Sequence, residues 1–137
     1  MNRRAVLRLG GAGLVAVAGC SSTGGAGPRR VSMTDDFAYD PDRLTVDAGT
    51  TVRWTNDGDV GHTVTAYGDG IPADAAYFAS GGFDSERAAR DGVSRGLVTV
   101  GDAYEHAFET AGTYDYFCVP HEGSGMTGRV VVRSSND

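Results

Sequence analysis

The sequence predicts an all-β domain, a β-sandwich or barrel, and three observations support this class. Its 137 residues are the length of one ordinary domain. Short runs of residues that favour strands recur through most of the chain, and turn residues separate them. Within one of these runs, alternation places Tyr114, Tyr116 and Cys118 on one face and Asp115 and Phe117 on the other. Several short strands of this kind are typical of sandwiches and barrels.

The predicted strands follow one another along the chain. They are 31–33, 37–39, 43–46, 50–56, 62–66, 103–110, 113–119 and 128–133. Asp47-Ala48-Gly49 and Ala111-Gly112 have the composition of turns between neighbouring strands. No internal repeat is evident.

The stretch 67–101 interrupts this pattern with many Gly, Ala and Asp residues. Residues 84–90 favour one or two helical turns, capped at Asp84 or Ser85 and ended by Gly92. We interpret the stretch as a long, partly helical insertion that runs over the surface before the last strands. Its Gly81-Gly82 pair does not open a phosphate-binding helix.

The N-terminal segment 1–19 has the features of an export signal, namely early arginines, a short apolar run and small residues at its end. The run is too short to span a bilayer, which disfavours a transmembrane anchor. Arg3 and Arg4 resemble a twin-arginine motif, and Val17-Ala18-Gly19-Cys20 resembles a lipobox. Cleavage there leaves a lipid on Cys20, a Gly- and Ser-rich tether over 20–30, and a domain over 31–137.

The composition excludes one class of partner. The chain has 18 acidic residues, 12 basic residues that are all arginine, and a formal charge of −6. Removal of the signal takes away three arginines and makes the chain more acidic, which argues against nucleic-acid binding. Scattered acidic residues could steer a basic partner or keep the surface hydrated in concentrated salt, and we favour hydration.

Three residues with soft or borderline ligand atoms crowd one short stretch, TYDYFCVPHEGSGMTG. If Cys20 carries a lipid, Cys118 is a free thiol in an exported protein. Its spacing to His121 and Met126 is Cys-x2-His-x4-Met. A mononuclear electron-transfer copper site uses two His, one Cys and a weak axial Met. The fourth ligand must come from elsewhere in the chain. His62 is a candidate because the connection after the strand 50–56 could place it at the same end of the sandwich, and His106, in the middle of the predicted strand 103–110, is the other.

These residues resemble the cupredoxins, and within them the plastocyanin and halocyanin group of small blue copper proteins. The resemblance covers about residues 31–133. It depends on Trp54-Thr55-Asn56 before His62-Thr63-Val64, on Gly112-Thr113-Tyr114 leading into Tyr116-Phe117-Cys118-Val119-Pro120-His121, and on Gly125-Met126-Thr127-Gly128. With its lipobox and its lysine-free acidic composition, the chain most resembles the halocyanins of salt-loving archaea. The resemblance implies a cupredoxin-like Greek-key sandwich that holds one type 1 copper per chain.

The resemblance also implies a role for each residue. His62 and His121 give imidazole nitrogens, Cys118 gives the thiolate, and Met126 gives the axial contact. Family members often carry a hydroxyl residue directly after the Cys, whereas this chain has Val119, so Thr63 must find another partner.

Pro120 is expected to stiffen the loop that carries these ligands, and glycines at 123, 125 and 128 let its backbone turn. Electrons are expected to leave through His121. Phe117 is either a second route or ordinary packing, and His106 is expected to be an ordinary histidine.

The functional prediction is a membrane-tethered electron carrier, not an enzyme. It would lie on the extracytoplasmic face of the cell membrane as a monomer and pass single electrons between redox partner proteins of a membrane chain. A copper oxidase or nitrite reductase would need more histidines than this chain offers. The alternative is a copper-holding or copper-delivery protein, but delivery favours exposed Met-rich or Cys-rich ligands, which the chain lacks.

Overall fold

The computed structural model describes residues 29–134, and within that range eight strands form two four-stranded sheets. The signal, Cys20 and most of the tether lie outside the described residues. The strands are β1 (Arg29–Thr34), β2 (Ala38–Asp40), β3 (Arg43–Asp47), β4 (Thr50–Asn56), β5 (Thr65–Ala66), β6 (Ala103–Phe108), β7 (Gly112–Phe117) and β8 (Thr127–Arg133). The helices are α1 (Glu86–Asp91) and α2 (Val93–Gly96), and 3-10 turns occur at Gly68–Gly70 and Val119–Ser124.

The strand order is β3-β8-β7-β5 in one sheet and β2-β1-β4-β6 in the other. Each sheet contains one parallel pair, β3 with β8 and β1 with β4, and its other neighbours are antiparallel. The C-terminal end of β7 therefore lies beside β5 and the start of β8. This arrangement brings Cys118, which follows β7, close to the chain that leaves His62.

Alternating side chains from both sheets fill the space between them. In β4 the buried residues are Val52, Trp54 and Asn56, and in β7 they include Tyr114 and Tyr116. The Trp54 ring packs edge-on against Tyr116 with the ring centroids 5.4 Å apart. Because successive residues of a strand face opposite sides, this alternation buries one face of each sheet, and the predicted all-β class is confirmed.

Most strand boundaries differ from the predictions by one to three residues, and two of the differences have a clear structural cause. Strand β1 begins at Arg29, inside the predicted tether, because Arg29 and Arg30 pair in register with Val52 and Arg53 of β4. The predicted strand 62–66 shortens to Thr65–Ala66. Its first residue instead pairs with the insertion through the His62–Val98 bridge.

The insertion contains the predicted helix but is more than a surface excursion. Helix α1 begins after Ser85, whose Oγ accepts a hydrogen bond from the Ala88 amide at 3.1 Å. Gly92 ends α1, and α2 follows directly. Phe78 and Val98 are buried in the main core, and the amide of Ala66 donates to the Phe78 carbonyl. The prediction that this stretch only covers the surface was therefore wrong.

Among residues 29–134, no helix is both long and apolar enough to cross a membrane.

Candidate metal centre

Three ligand atoms converge at one end of the sandwich. The Nδ1 atoms of His62 and His121 lie 3.2 Å apart, and Cys118 Sγ lies 3.8 Å from the first and 3.3 Å from the second. The three residues come from the loop after β4, the end of β7 and the turn after it. Within the described part of the chain, this is the group of His, Cys, Asp or Glu side chains placed to hold a metal ion.

The spacing of these atoms fits a single transition-metal ion. Nitrogen and thiolate ligands bound to one ion at about 2.0–2.3 Å lie roughly 3.3–3.8 Å apart, and the observed distances are 3.2 to 3.8 Å. Two imidazoles and one thiolate suit copper, since both kinds of donor are among those that bind it. The predicted cluster of His62, Cys118 and His121 is therefore present with suitable geometry.

His62 is fixed by two neighbouring segments and is fully buried. Its amide donates to the Val98 carbonyl at 3.3 Å, and the Val98 amide donates back at 2.7 Å. Buried Asn56 stabilises the loop that leads to His62, because its side-chain amide donates to the carbonyls of Val60 and Val98 at 2.7 and 2.9 Å. Burial, and then the nearby His121, lower the pKa of His62. Both effects favour the neutral imidazole, which is the form that binds a metal.

Cys118 is a buried free thiol whose sulfur accepts a main-chain hydrogen bond. The Thr63 amide donates to Sγ at 3.4 Å. Burial raises the pKa of Cys118, and the bond from Thr63 partly offsets this effect. The Thr63 hydroxyl accepts from the Val119 amide at 2.8 Å. The partner that the sequence left open for Thr63 is therefore the main chain of Val119 itself.

The chain after Cys118 forms the 3-10 turn Val119–Ser124, which we call the ligand loop. Pro120 lies at its start, and Gly125 ends it with φ of +88°, a conformation that favours glycine. Of the three glycines predicted to let this stretch turn, Gly125 is the one with positive φ.

The main chain of Met126 binds the main chain of both Cys118, which precedes the ligand loop, and His121, which lies in it. Its carbonyl accepts from the Cys118 amide at 3.1 Å, and its amide donates to the His121 carbonyl at 3.2 Å. Met126 is fully buried.

His121 is the partly exposed member of the cluster. Its ring stacks on Phe37 with the centroids 4.3 Å apart and the planes inclined by 21°. Phe37 has φ of +58°, which is costly for a residue with a Cβ. The tight turn after β1 therefore holds an aromatic ring against His121, and no sequence pattern pointed to this contact.

Phe117 points away from Cys118, as the alternation predicted, but it is also fully buried. Tyr67 stacks on it with a centroid distance of 4.3 Å, and the guanidinium of Arg90 lies 4.3 Å from its centroid. Arg90 and Tyr67 both bind Glu122 of the ligand loop. Sequence reasoning missed this cluster, although Glu86 and Arg90 have the spacing of a helical ion pair.

His106 does not join the cluster, as predicted. It lies in the middle of β6, opposite Val52, and stacks on Phe78 with a centroid distance of 4.6 Å. Burial lowers its pKa.

Comparisons with known proteins agree with this geometry. Residues 29–133 match the family model of copper binding proteins of the plastocyanin/azurin family. A chloroplast plastocyanin from Tetradesmus obliquus is 34% identical over 122 residues, which cover 87% of this chain and 77% of that protein. A plastocyanin from the Synechococcus strain JA-2-3B'a(2-13) is also 34% identical, with coverage of 88% and 84%.

Solved structures agree as well. Amicyanin from Paracoccus versutus is 32% identical with a TM-score of 0.56, covering 79% of this chain and 83% of amicyanin. A purple cupredoxin from Nitrosopumilus maritimus is 27% identical with a TM-score of 0.53, covering 77% of this chain and 99% of that structure.

The two-sheet fold and the cluster of two imidazoles and a thiolate define a copper-binding cupredoxin. The chain belongs to the plastocyanin/azurin family, whose members carry electrons and are not enzymes.

Proposed function

We propose that this chain is a type 1 copper protein that carries one electron at a time and binds its copper through His62, Cys118 and His121. Met126 is the proposed axial ligand. The observation that carries the proposal is the convergence of two Nδ1 atoms and one Sγ atom within 3.2 to 3.8 Å of one another. When bound, copper supplies the one-electron couple between Cu(II) and Cu(I).

The chain supports this function by holding the ligand atoms in place. Thr63 and Met126 bind the Cys118 sulfur and amide, and the His62–Val98 bridge fixes the first imidazole. Ligands that are fixed by such contacts have little freedom to rearrange when the charge of the site changes. A small rearrangement is what rapid electron transfer requires.

Electron exchange is proposed to occur at His121. His62, Cys118 and Met126 are fully buried, whereas His121 is partly exposed. A redox partner protein therefore approaches the copper most closely at this ring. The monomeric state is part of the same proposal, because a second copy bound over His121 would block that approach.

The location is proposed from the sequence alone. The lipobox ending at Cys20 and the twin arginines support export followed by lipid attachment, which leaves the domain on the outer face of the cell membrane. Together with the absence of lysine, these features make a halocyanin-like lipoprotein the proposed subgroup. Its partners would then be redox proteins of a membrane chain.

The burial of the cluster argues against a copper-delivery function. Delivery proteins need ligands that a recipient can reach, whereas both proposed sulfur ligands here, Cys118 and Met126, are fully buried. Electron self-exchange and copper loss separate the two functions. A carrier exchanges electrons rapidly between its own oxidised and reduced forms and keeps Cu(I) in the presence of a mild chelator. Slow self-exchange with rapid loss of Cu(I) would favour delivery and contradict the proposal.

A further inference from the structure

We propose that Arg90, in the helix of the insertion, is a positioning residue that fixes the ligand loop. The inference rests on the proposed function of that loop, which contains His121. Arg90 contacts the neighbours of two proposed ligands: Phe117 directly precedes Cys118, and Glu122 directly follows His121. One side chain thus holds the chain on both sides of the segment 118–121.

The contact between Arg90 and Glu122 is a bidentate ion pair. The two terminal nitrogens of Arg90 lie 2.8 and 3.2 Å from the two carboxylate oxygens of Glu122. The Nε of the same guanidinium lies 2.8 Å from Glu86, one helical turn earlier. A planar guanidinium that binds a carboxylate in this way sets its orientation as well as its distance.

Arg90 and Tyr67 also pack against the ring of Phe117. The guanidinium carbon of Arg90 lies 4.3 Å from the Phe117 ring centroid, and the Tyr67 ring stacks on the same ring at 4.3 Å. The Tyr67 hydroxyl donates to Glu122 at 2.6 Å. Glu122 is therefore bound by two side chains that both rest on Phe117, so it cannot shift without disturbing that stack.

The helix that carries Arg90 is itself well anchored. Ser85 caps its first turn, and Ala89 is buried against Ala79 and Phe83. Glu86 also accepts a hydrogen bond from the Gly68 amide at 2.9 Å, which joins the helix to the turn after Tyr67. Through Arg90, the ligand loop is therefore attached to a helix that is itself fixed in place.

The energetics favour positioning over bulk stability. Arg90 and Glu122 keep 37% and 33% of their side-chain surface exposed. Ion pairs so exposed contribute little to the stability of the fold as a rule. The geometric constraint on the loop is the larger consequence, because Glu122 is adjacent to His121, whose ring must be oriented to bind the metal.

Hydrogen exchange of the full chain without copper tests this role directly. The amides of His121, Gly125 and Met126 all donate within or next to the ligand loop, so they report its opening. In Arg90→Gln we expect them to exchange about threefold faster or more. The amides of β4 and β6 should keep their wild-type rates.

Two further variants separate position from charge. Arg90→Lys keeps the charge but loses the bidentate contact with Glu122. The loop amides of this variant should therefore exchange nearly as fast as those of Arg90→Gln. Arg53→Gln is the matched control, because Arg53 forms a similarly exposed 2.8 Å pair with Glu105 on the other sheet. This control should leave the loop amides unchanged.

The outcomes are distinguishable. Unchanged loop amides in Arg90→Gln, wild-type rates in Arg90→Lys, or equal acceleration in β4 and β6 would each overturn the positioning role. With copper bound, both Arg90 variants should slow electron self-exchange severalfold, and Arg53→Gln should not. If the wild-type protein formed no copper site, the exchange rates without copper would still decide the role of Arg90.

Discussion

The main-chain nitrogen of Thr63 lies 3.4 Å from the sulfur of Cys118, and the Thr63 hydroxyl lies 2.8 Å from the next amide along the chain. One residue beside His62 therefore holds both the sulfur and the backbone that follows it. This link joins the two halves of the proposed metal site, which are separated by more than fifty residues in sequence.

Replacing Thr63 with Val tests this link, because Val keeps the shape and removes the hydroxyl. The Val119 amide loses its acceptor, which is expected to cost about 1–3 kcal/mol of unfolding free energy. The copper site should also change its reduction potential, since the backbone after Cys118 is released. Urea denaturation and voltammetry measure the two effects. Thr45→Val, on the exposed face of β3, should change neither, and a wild-type potential in Thr63→Val would contradict the link.

Buried Asn56 is expected to be essential for the loop that carries His62. Asn56→Ala removes donors to the carbonyls of Val60 and Val98 and an acceptor for the Gly58 amide. We expect a loss of about 2–3 kcal/mol in the unfolding free energy without copper, and weaker copper binding. Denaturation and copper titration measure these losses.

Asp57→Ala is the control for that experiment. Its exposed side chain accepts one hydrogen bond, from Ser32, so this variant should change stability by less than about 1 kcal/mol. Equal effects of the two variants would mean that the loop does not depend on Asn56.

His106 should make stability depend on pH. Burial lowers its pKa in the folded protein below 6.5, so the unfolded chain binds a proton at a higher pH than the folded chain does. Stability contributed by the neutral ring is therefore complete above pH 6.5 and is lost as the pH falls toward the lowered pKa. Denaturation of the copper-free protein across this range measures the loss.

The non-titrating variant His106→Gln isolates this effect, because the two proteins differ in this one side chain. The stability of the wild type relative to His106→Gln should fall as the pH is lowered below 6.5. A difference that stays constant over the range, or grows toward low pH, would contradict the lowered pKa of His106.

Cys20 is expected to be the membrane anchor. Cys20→Ser removes the sulfur that would carry the lipid, so the protein should move from the membrane fraction to the soluble extracytoplasmic fraction. Cell fractionation followed by immunoblotting measures the distribution. Cys118→Ser should remain with the membrane, which makes it the matched control. Tight membrane association of the Cys20 variant would mean that another part of the N-terminal segment is the anchor.

The sequence could predict the strands and the pair Cys118 and His121 because these depend on local patterns, whereas His62 was predicted from the small number of histidines and from the family resemblance. Alternation identified β7, and the Cys-x2-His-x4-Met spacing identified the ligand loop, since both lie within a few residues. Contacts between distant segments were not predictable in this way. Neither the stack of Phe37 on His121 nor the ion pair of Arg90 with Glu122 has a local signal, because each joins segments that only the fold brings together.

The insertion was harder to interpret for the same reason. Its helix had a readable cap and stop, and both were confirmed. The burial of Phe78 and Val98 in the main core was not predicted, because single apolar residues among Gly, Ala and Asp give no periodicity.

The most direct test of the proposed copper site is the visible absorption spectrum of the protein after addition of Cu(II), and again after ascorbate. We predict an intense blue band that bleaches on reduction, returns on reoxidation and is absent from a folded Cys118→Ser variant. A colourless or pale wild-type product, or full colour in Cys118→Ser, would contradict the assignment of Cys118 as the copper ligand.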